Sequence, residues 1–245
     1  MQELYEQAKE QGRVNYHGAY CLYNHHRTVA YDGGGIRLIR FGDGDRDHQD
    51  MTVCFEDGTE DRWTTDRIDF AFLSQFGMAT AAGGKYVLSQ TWERGLFCLD
   101  ARTGEQIWRT KSKRGITSVF VNENTVLVHQ RERALQLIDL HTGKVLQEKR
   151  PATSWGFKAI DHKHIVCCVT ARRVEIIDTK TMETKQTFSA KEYTGGHEDY
   201  CVNKVWRIGQ ELYVRGFKNV WDDSVSPPKH LPNLEFEHRL PLTIE

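Results

Sequence analysis

Three stretches of this chain, LFCLDARTG, LQLIDLHTG and VEIIDTKTM, align without a gap and set Asp100, Asp139 and Asp178 at a constant spacing of 39 residues. More than one residue carries the period. Upstream, KYVLSQ, TVLVHQ and HIVCCV keep the same spacing, with Val87, Val126 and Ile165 in register, as are Leu88, Leu127 and Val166. A third segment precedes each of these (GMATAAG, ITSVFVN, WGFKAID) and a fourth follows each Asp (EQIWRT, KVLQEKR, ETKQTFSA). Each unit therefore reads as four short strands.

A period of about 40 residues with four strands and no helical periodicity is the pattern of a β-propeller blade, which cannot bury its faces alone and must pack against its neighbours. The period continues with insertions on both sides. YCVNKVWRIGQELYVRGFKNVWDDS reads as a further blade, and GAYCLYNHHRTVAYDGGGIRLIRFGDG as the first three strands of another, with MTVCFEDGTEDRW as an inserted or outermost strand. The expectation is an all-β chain, a single β-propeller of about five four-stranded blades over residues 17–69, 70–114, 115–153, 154–197 and 198–245. A short N-terminal helix over ELYEQAKEQG and a tail, FEHRLPLTIE, that supplies a closing strand to the first blade complete the picture.

The repeated Asp belongs to a turn. Its carboxylate can accept from backbone N–H groups one or two residues on, and Gly104 or Gly143 can adopt the positive φ that returns the chain, although Met182 stands at that place in the third copy. Trp108, which ends the first copy alone, is expected to pack between blades. The run FCLDARTGEQIW resembles the repeat L-x-A-L-D-A-x-T-G-x-x-x-W of quinoprotein-like (PQQ-like) propellers, relatives of WD-repeat propellers; LQLIDLHTGKVL matches it well and VEIIDTKTMETK loosely. The resemblance implies the fold and leaves the activity open. The quinone dehydrogenases of that superfamily are typically larger and exported, hold calcium and a quinone, and in some cases join adjacent cysteines beside it. Cys167 and Cys168 are adjacent here but sit inside the strand HIVCCVT, where buried reduced thiols are expected, and no cofactor or metal is expected.

At 245 residues, with 39% hydrophobic and 27% charged residues, the chain can bury a sizeable core. No apolar run approaches the roughly 18 residues of a membrane helix. The start lacks the pattern of a secretory signal, and six scattered cysteines without C-x-x-C spacing suit a reducing compartment. A cytoplasmic location is expected.

The formal net charge is −1, yet charge is segregated. In a four-stranded blade the loop from second to third strand and the loop leaving the fourth emerge at one end. Those loops carry Arg94, Lys111, Lys113, Arg114, Arg131, Arg133, Lys149, Arg150, Arg172 and Arg173 against Glu93, Glu132 and Glu148, with Trp92 and Trp155 in or beside them. Aromatic residues interleaved with arginine make a recognition surface. The reading is a non-enzymatic interaction protein, a bacterial immunity or scaffold protein being one category, that binds an acidic protein partner through Trp92, Arg94, Arg131, Arg133, Trp155, Arg172 and Arg173. Nucleic acid is a further candidate partner on the same charges, without a recognised motif.

A second reading, from another class, is a small-ligand or glycan site, hydrolytic in one version. It rests on the insertion YTGGHEDY, where His197, Glu198 and Asp199 form an acid–base cluster. The imidazoles of His25, His26, His162 and His164 lack a third ligand at zinc spacing and are expected to be exposed hairpin residues. The loop FGDGDRDHQD offers Asp43, Asp45, Asp47 and Asp50 to calcium but departs from the EF-hand pattern at its sixth and twelfth positions.

Overall fold

The computed structural model describes residues 28–33, 36–41, 49–65, 78–91, 95–110, 116–130, 134–150, 156–170, 172–197, 201–222 and 224–244. They form five antiparallel sheets. The first holds β1 (Thr28–Gly33), β2 (Ile36–Phe41), β3 (Gln49–Phe55) and β4 (Glu60–Thr65). The second holds β5 (Met78–Ala81), β6 (Tyr86–Thr91), β7 (Gly95–Asp100) and β8 (Gln106–Arg109). The third holds β9 (Ile116–Val121), β10 (Thr125–Gln130), β11 (Ala134–Asp139) and β12 (Val145–Lys149). The fourth holds β13 (Phe157–Ala159), β14 (His164–Thr170), β15 (Arg173–Asp178) and β16 (Thr184–Ser189). The fifth has three strands: β17 (Cys201–Ile208), β18 (Glu211–Asp222) and β19 (Lys229–Pro241). In every sheet the strands pair in chain order. The chain divides into two compact units, residues 1–156 and 157–245.

In the first unit β7 is buried along nearly its whole length, because a sheet covered on both faces needs apolar residues at every position. Leu96 and Cys98 join Leu88, Trp108, Val126, Val128, Ile138 and Leu140 in one core. The repeated Asp makes the turn, with the bonds coming from residues two and three on rather than one and two. Asp100 Oδ1 accepts from the N–H groups of Arg102 (2.9 Å) and Thr103 (3.0 Å), and Asp139 Oδ1 from those of His141 (3.1 Å) and Thr142 (2.8 Å). Gly104 and Gly143 follow at φ 71° and 70°.

These glycines have a second reason to be glycine. A Cβ on Gly104 would lie 2.5 Å from Trp63, and one on Gly143 would lie 2.7 Å from Trp108. Each indole leaves the fourth strand of one sheet and docks on the turn of the next, Trp63 Nε1 donating to Ala101 O (3.0 Å) and Trp108 Nε1 to Leu140 O (2.6 Å). The packing role expected of Trp108 is thus realised, and Trp63 shares it. Arg102 supplements the first junction, with Nη1 3.1 Å from Asp61 Oδ2 and its guanidinium over the Phe55 ring at 4.0 Å.

In the second unit, Val166, Val174, Ile176 and Phe188 of the fourth sheet share a core with Val205, Leu212, Val214, Phe236 and Leu240 of the fifth. Asp178 makes the same turn, accepting from Lys180 N (2.9 Å) and Thr181 N (2.8 Å), with Met182 at φ 56° and buried. By the 39-residue period, the position of Trp108 in the preceding strand is Gln147, so Gly and Trp are absent together. The next position in that series, Gln186, keeps the docking function in polar form. Its Nε2 donates to Pro241 O (2.9 Å), and its Oε1 accepts from Thr243 N (2.8 Å).

Three expectations need correction. MTVCFEDGTEDRW is the regular third and fourth strand of its sheet rather than an insertion or a single outermost strand. The tail, among the described residues, is the third strand of the fifth sheet: residues 235–241 belong to β19, where Phe236, His238 and Leu240 stand opposite Gly216, Val214 and Leu212 of β18. A hairpin closes a short loop at little entropic cost and already buries the alternating apolar residues that suggested a distant partner. His164, finally, is buried rather than exposed. Its Nδ1 lies 2.9 Å from Asp161 Oδ2, and the same oxygen accepts from Arg207 Nη1 at 2.9 Å. His162 is exposed as expected.

Candidate interaction surfaces

Of the residues expected to form a basic, Trp-bearing face, Trp92, Arg94, Arg131, Arg133 and Trp155 lie outside the described residues. The strands that bracket them are described. β6 and β7 flank residues 92–94, β10 and β11 flank 131–133, and β14 and β15 flank the connection at Ala171 and Arg172. Because the strands alternate in direction, each connection leaves its own sheet at the end where the fourth strand also runs out.

Arg172 and Arg173 are both exposed. Arg173 Nε sits 3.1 Å from Oε1 of the buried Glu175, whose other oxygen accepts from Thr184 Oγ1 at 2.6 Å. This aims the guanidinium and leaves 52% of the Arg173 side chain accessible. A cation tethered in this way loses less rotamer entropy on meeting an anion than a free one does.

The insertion after β16 is built rather than loose. Ser189 and Glu192 form a reciprocal capping box on a one-turn helix, α1 (Ala190–Tyr193), and the hydrogen bond from Ser189 holds the Glu192 carboxyl below its usual range. Tyr193 is buried, and burial pushes its hydroxyl pKa far up. Gly195 packs against His238, and the His197 ring stacks on Phe236 at 4.6 Å with 25° between planes. His197 is therefore part of the packing on β19, while Glu198 and Asp199 lie outside the described residues. No group of three or more His, Cys, Asp or Glu side chains converges among the described residues. Asp43, Asp45, Asp47, His25 and His26 also lie outside them, as does the N-terminal stretch over ELYEQAKEQG.

Cys167 is buried and Cys168 half-buried, both free thiols within β14; burial raises the Cys168 pKa. Neighbours in a strand point to opposite faces, which is why they do not approach one another. The thiol of Cys98 is likewise pushed up by burial, to about 12, and is unreactive as a nucleophile.

One ordered surface was missed in the sequence. On the outward side of the fifth sheet Trp206 stands opposite Tyr213 and Tyr213 opposite Arg239. The two rings stack at 5.3 Å with 19° between planes; Lys204 and Arg215 lie over Trp206 at 5.3 and 5.7 Å, and Arg239 over Tyr213 at 5.4 Å. Arg215 also pairs with Glu237 at 2.7 Å. Such cross-strand pairs contribute roughly 0.2–1 kcal/mol each. The signal was present as alternation, Lys204-x-Trp206 and Tyr213-x-Arg215, with polar tips where the core side has Val205, Leu212 and Val214.

Residues 49–159 match the family model described as outer membrane protein assembly factor BamB. Among solved structures, the chain is similar to one from an assembly of S. cerevisiae Dbp5 bound to Nup159, Gle1, IP6 and ADP (14% identity, TM-score 0.53, covering 83% of this chain and 55% of that one). It is also similar to the N-terminal domain of Nup159 (13% identity, TM-score 0.52, 83% and 55%). The chain has the β-propeller fold, and its residues 49–159 are similar to a PQQ-like repeat family. BamB from Moraxella catarrhalis is a further similar structure (14% identity, TM-score 0.48, 76% of this chain and 61% of that one). This propeller thus spans 55% to 61% of the length of those three chains. No protein with a curated description matches the sequence.

In propeller terms each sheet is a blade, and the Trp-to-turn docking at Gly104 and Gly143 joins one blade to the next. The propeller's fifth blade departs from the other four in having three described strands and a second-to-third hairpin far longer than the short connections at 92–94, 131–133 and 171.

Proposed function

We propose that this propeller is a non-enzymatic interaction module that binds an acidic protein partner through the loops bearing Trp92, Arg94, Arg131, Arg133, Trp155, Arg172 and Arg173, and that it works in the cytoplasm. The observation that carries the reading is the placement of Arg172 and Arg173. They sit at the hairpin between second and third strands, exposed, with Arg173 aimed by the buried Glu175. The repeat gives the loops at 92–94 and 131–133 the same position in their own blades. One similar solved structure is of an assembly in which Dbp5 is bound to Nup159; the reading assigns this propeller the same kind of use, contact with another protein.

Opposite charges across an interface govern encounter rate and salt dependence more than packing does. The test is the variant R131E/R133E/R172E/R173E, compared with the wild type by isotope-ratio capture from the native cell at graded salt. Partner binding is expected to fall at least tenfold and to lose its salt dependence, with a thermal midpoint within a few degrees of wild type. Undiminished capture at every salt concentration refutes the reading. Retention of nucleic acid in place of protein, with a steep salt slope, assigns the face to a different partner.

A further inference from the structure

The fifth sheet buries one face and leaves the other to solvent. Val205, Leu212, Val214, Phe236 and Leu240 belong to the core of the second unit, and strand alternation sends the residues between them the opposite way. Row by row, that other face reads Lys204–Arg215–Glu237, Trp206–Tyr213–Arg239 and Ile208–Glu211–Pro241 across β17, β18 and β19. Ile208 is 57% exposed, Arg215 and Glu237 keep 46% and 40% of their side chains accessible, and the Trp206 and Tyr213 rings are half-buried.

The charges on this face balance. Lys204, Arg215 and Arg239 stand against Glu211, Glu235 and Glu237, so no partner of a single sign is selected. The two edge strands nevertheless differ in sign at one level, with Lys204 of β17 and Glu237 of β19 on either side of Arg215. Arg215 pairs with Glu237, whereas Lys204 stands opposite Arg215, a like-charge pairing that destabilises a sheet, and has no carboxylate partner among the described residues. A two-fold axis running along β18 exchanges the edge strands. It sets Lys204 of each copy against Glu237 of the other, Trp206 against Arg239 and Ile208 against Pro241. Arg215 nears its own counterpart at the axis, with Glu237 of both copies beside it, and Glu211, next to the hairpin turn, lies at the rim.

We infer that this face is a two-fold dimer interface, on which two copies of the chain pack sheet on sheet through reciprocal Lys204–Glu237 ion pairs around the Trp206–Tyr213 stack. An isologous contact requires a patch complementary to itself, and the exchange of Lys204 with Glu237 across the axis supplies that. The aromatic pair with Arg215 and Arg239 beside it has the composition that carries binding energy once water is excluded. With eight residues in β17 and three strands across, the face measures about 27 by 15 Å. That places the dimer among weak, concentration-dependent associations rather than permanent ones. This interface is independent of the interaction reading above, since Arg172 and Arg173 lie in the fourth sheet and its hairpin.

Sedimentation equilibrium of the full chain, from micromolar to millimolar protein, tests it. The wild type is expected to pass from one chain to two as concentration rises, and added salt to weaken the dimer. K204E and E237K should each raise the dissociation constant at least tenfold, because each sets like charges together at both symmetric contacts. Mixing the two variants restores opposite charges at both contacts, so the mixture should form a heterodimer within about threefold of the wild-type affinity. The double variant K204E/E237K, with the pair reversed in one chain, should dimerise as the wild type does. Melting midpoints establish that each variant is folded, W206A is expected to weaken the dimer, and R172E/R173E to leave it unchanged. A wild type that stays monomeric throughout, single variants that dimerise as well as the wild type, or a mixture and double variant no stronger than the single ones would overturn the inference. A photo-cross-linking residue at position 208 that joins a monomeric chain to a different protein assigns the face to that protein, which also overturns it.

Discussion

Replacing Gly143 with alanine isolates the contact that spaces the blades. The residue sits at φ 70°, where a Cβ costs about 1–2 kcal/mol in an L-residue. That Cβ would also lie 2.7 Å from two indole atoms of Trp108, closer than real contacts allow. Trp108 is only 7% exposed and held by its 2.6 Å bond to Leu140 O, so it cannot withdraw without breaking that bond or shifting the junction. Overpacking of this kind costs about 1–3 kcal/mol, giving a total of about 2–5 kcal/mol. Urea denaturation followed by fluorescence and circular dichroism measures it as a lower midpoint at constant slope. On the W108A background the overlap is gone and only the backbone cost remains, so the same substitution should then cost about 1–2 kcal/mol. Equal costs on the two backgrounds, or a cost below about 1 kcal/mol on the wild type, would refute the argument that the indole and the glycine act as one device.

Met182 provides the converse: M182G relieves the backbone at φ 56° but empties a buried position, and is expected to destabilise by about 1–3 kcal/mol in the same urea assay. Asp161 accepts from Lys163 N, His164 N, His164 Nδ1 and Arg207 Nη1, so D161A should cost about 3–5 kcal/mol by stranding Arg207 and His164, visible as a drop in thermal midpoint. Burial raises the Asp161 carboxyl, but its bonds to His164, Lys163 and Arg207 outweigh this and hold it below the usual range; Asp139 is lowered chiefly by Thr142, and Asp178 by Thr181 and Lys180 against the opposing effect of burial. A depressed folded pKa contributes stability that is present above the unfolded value and lost as pH falls through the folded one, so urea midpoints should be flat near neutrality and decline below about pH 4. A W206A substitution removes the exposed ring stack with Tyr213 and should cost only about 1 kcal/mol.

Features set by neighbouring residues were legible in the sequence. The Asp turns at 100, 139 and 178 could be read because the carboxylate and the amides it accepts from lie within three residues. The repeat placed β6, β7, β10, β11, β14 and β15 because their apolar residues keep the 39-residue register. What escaped depends on contacts between blades. Gly104 and Gly143 explain themselves by φ alone, and nothing local reveals that Trp63 and Trp108 press on them, although the joint loss of Gly at 182 and Trp at 147 was a visible trace. DHKH looked like an exposed hairpin because the partner that buries His164 with Asp161 is Arg207, some forty residues on. FEHRLPLTIE has an alternation that fits any edge, and only pairing with β18 shows which edge it uses. Of the candidate face, position in the repeat could be read, and the tether between Arg173 and Glu175 could not.

The central claim is that the arginine-bearing loops contact a partner protein. Arginine-selective glyoxal labelling of the full chain, quantified by mass spectrometry with and without the partner captured from the native cell, tests it directly. The account predicts that Arg131, Arg133, Arg172 and Arg173 lose most of their reactivity on binding while Arg102, held by Asp61, and Arg215, held by Glu237, keep theirs. Unchanged labelling of the four loop arginines in a complex that protects residues elsewhere would contradict it.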